Sequence, residues 1–172
     1  MLKQTLILIL VSAALGLTAN LLLPNRIAYV GNYREIDPDR RGPIVPPEVQ
    51  PGDPPFIAID LAELEFSNNA AIFVDAREPE EFECGTIPGS LNIPFDYLPT
   101  ENLATYFDSV FAGLSKDTLI ITYCSGEECD LSLHLGRNLQ DLGYTNIAIF
   151  FGGSREWEKF GLQLERSAEC GE

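Results

Sequence analysis

Basic side chains are scarce. Eleven Lys and Arg stand against 26 Asp and Glu, a net charge of −15 over 172 residues. A chain this acidic has no electrostatic route to a phosphate backbone, which argues against nucleic acid as a partner. No internal repeat is visible. At 45% hydrophobic and 22% charged residues, the composition excludes a fully disordered chain or a collagen-like fibre. The length leaves room for one modest domain and excludes a multi-domain enzyme.

The charge is unevenly spread. Residues 1–55 hold five basic (Lys3, Arg26, Arg34, Arg40, Arg41) and five acidic (Glu35, Asp37, Asp39, Glu48, Asp53) side chains, so the whole −15 falls on residues 56–172. Two physically different segments meet near residue 55. Leu6 to Leu23 is an uncharged run, and Gln4 and Thr5 extend it. Twenty helical residues span roughly 30 Å, the thickness of a bilayer core. The expectation is one transmembrane helix within residues 1–23. The end of the run, Leu17-Thr18-Ala19-Asn20-Leu21, makes a poor signal-peptide cleavage site.

Lys3 and the N-terminal amine flank one end of the run and Arg26, Arg34, Arg40 and Arg41 the other, so the positive-inside rule weakly favours a cytoplasmic domain, whereas a signal-anchor with its short N-terminus inside would export it. The reading adopted is a single-pass anchor in a bacterial inner membrane with the domain on the extracytoplasmic side. Residues 24–55 contain 8 of the 12 prolines. They read as a semi-rigid spacer, followed by a domain over 56–172.

Within the domain, short apolar runs read as buried strands: Phe56–Ile59, Ala71–Val74, Leu119–Tyr123 and Ile147–Phe151. Amphipathic stretches between them read as helices at Leu61–Phe66, Glu80–Phe82, Leu103–Leu114 and Leu131–Leu142, the last capped by Gly143. Strands alternating with helices imply an α/β fold, a mainly parallel central sheet with helices on both faces. Chemistry in such sheets sits where strands run into helices.

One such loop stands out. The strand ending at Tyr123 runs into Cys124-Ser125-Gly126-Glu127-Glu128-Cys129-Asp130, then into the helix from Leu131. Small residues after Cys124 let main-chain amides turn toward its sulfur, and the helix aims its positive end there. Cys124 is therefore expected to ionise readily and act as a nucleophile.

These segments resemble a rhodanese-like (sulfurtransferase) domain over residues 57–165. The resemblance rests on Phe73-Val74-Asp75-Ala76-Arg77-Glu78-Pro79-Glu80-Glu81-Phe82 and Gly85-Thr86-Ile87-Pro88-Gly89-Ser90-Leu91-Asn92-Ile93-Pro94. It continues through the loop at Cys124, then Leu142-Gly143-Tyr144 and Phe151-Gly152-Gly153 to Trp157 and Gly161. The resemblance implies that Cys124 takes the outer sulfur of a thiosulfate-like or persulfide donor as its own persulfide. It then passes that sulfur to a thiol or other thiophilic acceptor. The donor is a small sulfur compound or a protein persulfide, and no cofactor is implied. Asp75 and Arg77 match the family's Asp-x-Arg and read as structural or pocket-shaping. Gly152-Gly153 would let the last helix approach, and Trp157 belongs to the core. The anchor and spacer resemble a membrane-tethered bacterial subgroup.

The loop also departs from the family. Cys129 stands where an Arg or another cation is usual, and Glu127, Glu128 and Asp130 crowd the turn. A carboxylate about 8 Å away costs a thiolate roughly 0.5–1 kcal/mol at an effective dielectric of about 40–80. A helix N-terminus returns roughly 0.3–1 kcal/mol. The carboxylates would also repel a dianion. A Cys-x5-Arg phosphatase is disfavoured because position 130 is Asp.

Three readings of Cys129 stay open: a small filler, a resolving thiol that forms a disulfide with Cys124, or part of a metal site. The last lacks recognisable spacing with His134, Cys84 and Cys170. His134 reads as a partly exposed helix residue, Cys84 as a small filler and Cys170 as a free thiol in a polar tail. Beside the sulfurtransferase stand two alternatives: a thiol–disulfide redox protein using Cys124 and Cys129, and a non-catalytic binding module.

Overall fold

The computed structural model describes residues 42–168 and residue 170, with isolated helical positions Gln4, Thr5, Ile9, Val11, Ser12 and Thr18. The chain divides into two compact units, Met1–Glu35 and Ile36–Glu172. The span expected at Leu6–Leu23 lies almost wholly outside the described residues. Among the described residues, no helix is long and apolar enough to cross a membrane.

Four strands, β1 (Ile72–Asp75), β2 (Leu91–Asn92), β3 (Ile120–Tyr123) and β4 (Ile147–Phe150), form one sheet in the order β2-β1-β3-β4. Every pairing is parallel; Asp75 lies beside Tyr123, and Tyr123 beside Phe150. The helices are α1 (Ile59–Ser67), α2 (Pro79–Cys84), α3 (Leu103–Val110), α4 (Leu131–Asp141) and α5 (Gly153–Lys159).

Strand side chains alternate between the two faces. Phe73, Ile121, Tyr123, Ala148 and Phe150 pack with Ile59 and Ala62 of α1 and Trp157 of α5. Val74, Ile120 and Ile147 pack on the opposite side with Phe107 of α3 and Leu135 and Leu139 of α4. This is the expected two-faced parallel sheet. Trp157 is buried and makes edge contacts with Phe66, Phe73 and Phe150.

α4 stops where expected. Gly143, at φ 87°, donates to the Gln140 carbonyl, and Tyr144 N–H donates to Leu139 O. That pair of bonds satisfies the helix's last carbonyls, and glycine takes the left-handed conformation without a Cβ penalty. α3 ends at Val110, short of the expected Leu114, because the chain leaves the helix through Phe111 and turns at Gly113.

The expected first strand, Phe56–Ile59, shrinks to a single bridge between Phe56 and Ile149. Pro54 and Pro55 have no N–H to donate to a ladder, and Ile59 already opens α1. The last part of the proline-rich segment lies on the domain rather than standing off it. Ile44 is buried against Leu133, Ile149 and Phe151. Arg137 grips Asp53 with Nε at 2.7 Å and a terminal nitrogen at 2.7 Å. The Pro55 carbonyl accepts from Ile149 N–H at 2.8 Å. The Arg137 guanidinium holds the Asp53 carboxyl below its usual value.

Cys84 and Cys170 correct two expectations: the filler and the free tail thiol are bonded to each other, with Cα atoms 4.7 Å apart. The tail folds back to make this possible. Thr86 and Glu165 exchange N–H···O bonds at 2.9 and 2.8 Å, and Ser167 N–H donates to Glu83 O at 2.8 Å. The crosslink closes a sequence separation of 86 residues. Cys170→Ser should lower unfolding stability by about 2–4 kcal/mol, read as a lower urea midpoint; an unchanged midpoint would show that the tail adds nothing to the folded state.

Candidate active site

β3 is buried along its length, and its carboxyl end delivers Cys124 to the edge of the sheet. The loop that follows is held from α5. Ser154 N–H donates to Cys124 O at 3.0 Å, and Arg155 N–H donates to Ser125 O at 3.2 Å. Gly153, at φ 61°, makes this approach possible: a Cβ there would collide with the Cys124 carbonyl. The glycine pair therefore seats the last helix as expected. Within the loop, Cys129 N–H donates to Gly126 O at 2.9 Å and closes the turn.

Two sulfurs share this turn, and they are the free cysteines among the described residues. Cys124 is wholly buried. Its thiol donates to the Cys129 carbonyl at 2.9 Å, with the Ser132 hydroxyl 3.7 Å away. Burial, and then the neighbouring Cys129 sulfur, push the Cys124 thiol well above its ordinary range; the Gly126 amide and Ser132 pull weakly the other way. The expectation that Cys124 itself ionises easily is thus corrected.

Cys129 is partly exposed. The neighbouring Cys124 side chain first, and then the main-chain amides of Leu131 and Ser125 and the Ser125 hydroxyl, outweigh the cost of burial and bring the Cys129 thiol down to about 6. The amide cup and the helix start exist, but most of their donors face Cys129. The physical reason is the turn: Cys124 meets carbonyl oxygens, whereas Cys129 sits at the N-terminus of α4.

The acidic residues mostly point outward. Glu128 is exposed and lies 3.5 Å from Arg155, and Asp130 is exposed and 3.2 Å from His134 Nε2. His134 also stacks on Phe95. Exposure weakens the penalty these carboxylates place on the thiolate. Arg155 brings to the loop the cation that the loop sequence lacks. It could have been sought as the first basic residue after the glycine turn. Ser132 had no signal beyond lying one residue inside α4.

Asp75 and Arg77 brace the neighbouring strand end. Arg77 Nε donates to Asp75 Oδ1 at 2.9 Å, and a terminal nitrogen reaches Oδ2 at 2.6 Å and the Gly85 carbonyl at 2.7 Å. Both residues are buried, and a buried ion pair stripped of one partner costs about 3–5 kcal/mol. Tyr123 reaches from β3 into the same corner, its phenol 2.6 Å from Thr86 Oγ1 and accepting from Ile87 N–H at 3.0 Å. Arg77 also lines a cleft of about 240 Å³ together with Ser125, Ser154, Arg155, Arg166 and Cys84. Among the described residues, no group of three or more His, Cys, Asp or Glu could hold a metal ion.

A parallel α/β sheet with a two-cysteine loop at the carboxyl end of its central strand defines a thiol-bearing domain. The rhodanese-like domain matches residues 59–160; the chain belongs to that family. It is 32% identical over 119 residues to the HTH-type transcriptional regulator Rv0324 of Mycobacterium tuberculosis, covering 68% of this chain and 48% of the regulator. The chain therefore spans about half of that relative. It is 31% identical over 112 residues to the human thiosulfate:glutathione sulfurtransferase, covering 62% of this chain and 94% of that enzyme. The crystal structure of SseA from Escherichia coli, a 3-mercaptopyruvate sulfotransferase, superposes with a TM-score of 0.57 at 21% identity, over 67% of this chain and 51% of that one. That likeness is one of fold.

With its thiol near 6, Cys129 is about ten-to-one thiolate at pH 7. Iodoacetamide should label Cys129 first, with a rate that rises through a midpoint of about 6, while the buried Cys124 reacts more slowly, as the loop opens. Peptide mapping checks this, and preferential labelling of Cys124 in the folded chain would contradict it.

Proposed function

We propose that this chain is a sulfurtransferase that carries sulfane sulfur as a persulfide on Cys124. The observation that carries the reading is the two-thiol loop at the end of β3, in a family that includes sulfurtransferases. The thiol pair holds one negative charge at neutral pH, mainly on Cys129. Attack by Cys124 moves that charge onto its own sulfur as its proton passes to Cys129. The loop must lift the Cys129 carbonyl from the Cys124 sulfur to admit a donor, because that carbonyl stands 2.9 Å away.

The sulfur–sulfur bond to the donor's outer atom then forms, and sulfite or a thiolate leaves. An acceptor thiolate next attacks the outer sulfur of the persulfide and restores the Cys124 thiolate. The donor is thiosulfate-like or a persulfide, small or protein-borne. Ser125 and Arg155 line the cleft beside the loop, where a donor or acceptor would rest.

The domain is proposed to face the extracytoplasmic side of a bacterial inner membrane, tethered by the apolar run at Leu6–Leu23. The Cys84–Cys170 disulfide supports this placement, because such bonds persist in oxidising compartments.

Incubation of the reduced chain with thiosulfate and, separately, with glutathione persulfide tests the activity. A thiol acceptor should collect sulfane sulfur catalytically with the native chain, and the signal should disappear in Cys124→Ser. Undiminished transfer by Cys124→Ser would overturn the assignment.

A further inference from the structure

Sulfur transfer through one persulfide needs one cysteine, and the loop carries two free ones on a single turn. The second is not a passive filler. Cys129 is the more exposed of the pair, and its carbonyl stands 2.9 Å from the Cys124 sulfur. The Cys129 N–H to Gly126 O bond closes the turn and the anchors from α5 hold it, so both cysteines belong to one braced loop.

A thiol on the same turn as a persulfide has the advantage of an intramolecular reactant over any acceptor that must diffuse in. Cys84 and Cys170 are bonded to each other and do not compete.

We infer that the loop also converts sulfane sulfur to hydrogen sulfide: Cys129 attacks the inner sulfur of a Cys124 persulfide, closes a Cys124–Cys129 disulfide and expels HS⁻. The inference rests on the proposal that Cys124 receives sulfane sulfur. In the step, the bond between Cys124 Sγ and the sulfane sulfur breaks as the Cys124–Cys129 bond forms. The sulfane sulfur gains two electrons and leaves as HS⁻ with the proton it already carried. The two cysteine sulfurs together lose those two electrons. A further turnover draws two electrons from an external dithiol, which reopens the loop disulfide. The domain would then act as a sulfide-releasing persulfide reductase whenever such a dithiol is at hand, and as a transferase when an acceptor thiol arrives first.

The test is a single turnover of the full chain, reduced at the loop and freed of added thiol. Thiosulfate and glutathione persulfide are used in separate runs, and Cys124→Ser/Cys129→Ser serves as the blank for background sulfide. The native chain should release about one sulfide per chain, and peptide mapping should show a Cys124–Cys129 crosslink distinct from Cys84–Cys170. Cys129→Ser should retain the added sulfur and release no sulfide until an acceptor thiol is supplied.

If the native chain keeps the sulfur as a stable persulfide, with no sulfide and no new crosslink, the inference fails while the transferase reading stands. If neither the native chain nor Cys129→Ser takes up or releases sulfur from either donor, the transferase reading fails with it. Should Cys129→Ser not fold, the sulfide yield and crosslink of the native chain decide alone.

Discussion

β3 is paired on both sides, to β1 and β4, and buried along its whole length. That constraint decides where this domain can place a reactive group. A central parallel strand leaves no freedom until its last residue, so the chain's first exit from the sheet is Cys124. Everything around the exit is braced. The Asp75–Arg77 pair and the Tyr123 phenol fix the neighbouring corner, and the first amides of α5 clamp the loop's own carbonyls. The reactive turn is short, and hydrogen bonds brace its rim on both sides.

Within that rim the decisive quantity is how a few hydrogen-bond donors are shared between two sulfurs. Cys124 is buried among carbonyl oxygens and keeps its proton; Cys129 sits at the start of α4 with two amides and a hydroxyl and gives its proton up. A single charge on the pair therefore rests on the outer sulfur. This arrangement suits chemistry in which one sulfur receives and the other resolves. Two of the turn's three carboxylates, Glu128 and Asp130, turn outward beside Arg155 and His134 and so weigh little on the thiolate.

Much of the scaffold could be read from residue types. The apolar runs ending at Val74, Tyr123 and Phe151 mark β1, β3 and β4 to within a residue or so, and Gly143 marks the end of α4. β2 escapes because Leu91–Asn92 is only two residues long and has no run to betray it. The pairing of Cys84 with Cys170 was hidden because the tail between Leu162 and Cys170 looks polar; its return depends on main-chain bonds between Thr86 and Glu165, which any residues could make. The same limit applies in the loop. Composition shows that amides can gather round a sulfur after Cys124, but the dihedrals around Gly126 choose which sulfur receives them.

The whole arrangement depends on the two sulfurs titrating as a pair, with the Cys124 side chain holding the Cys129 thiol down so that the charge rests on Cys129. The most direct measurement is the ultraviolet thiolate absorbance of the reduced loop against pH, in the native chain and in Cys124→Ala. The account predicts a native midpoint of about 6 that moves up toward the ordinary thiol range once the Cys124 donor is gone. A midpoint unmoved by that substitution, or a native loop with no thiolate until alkaline pH, would contradict it.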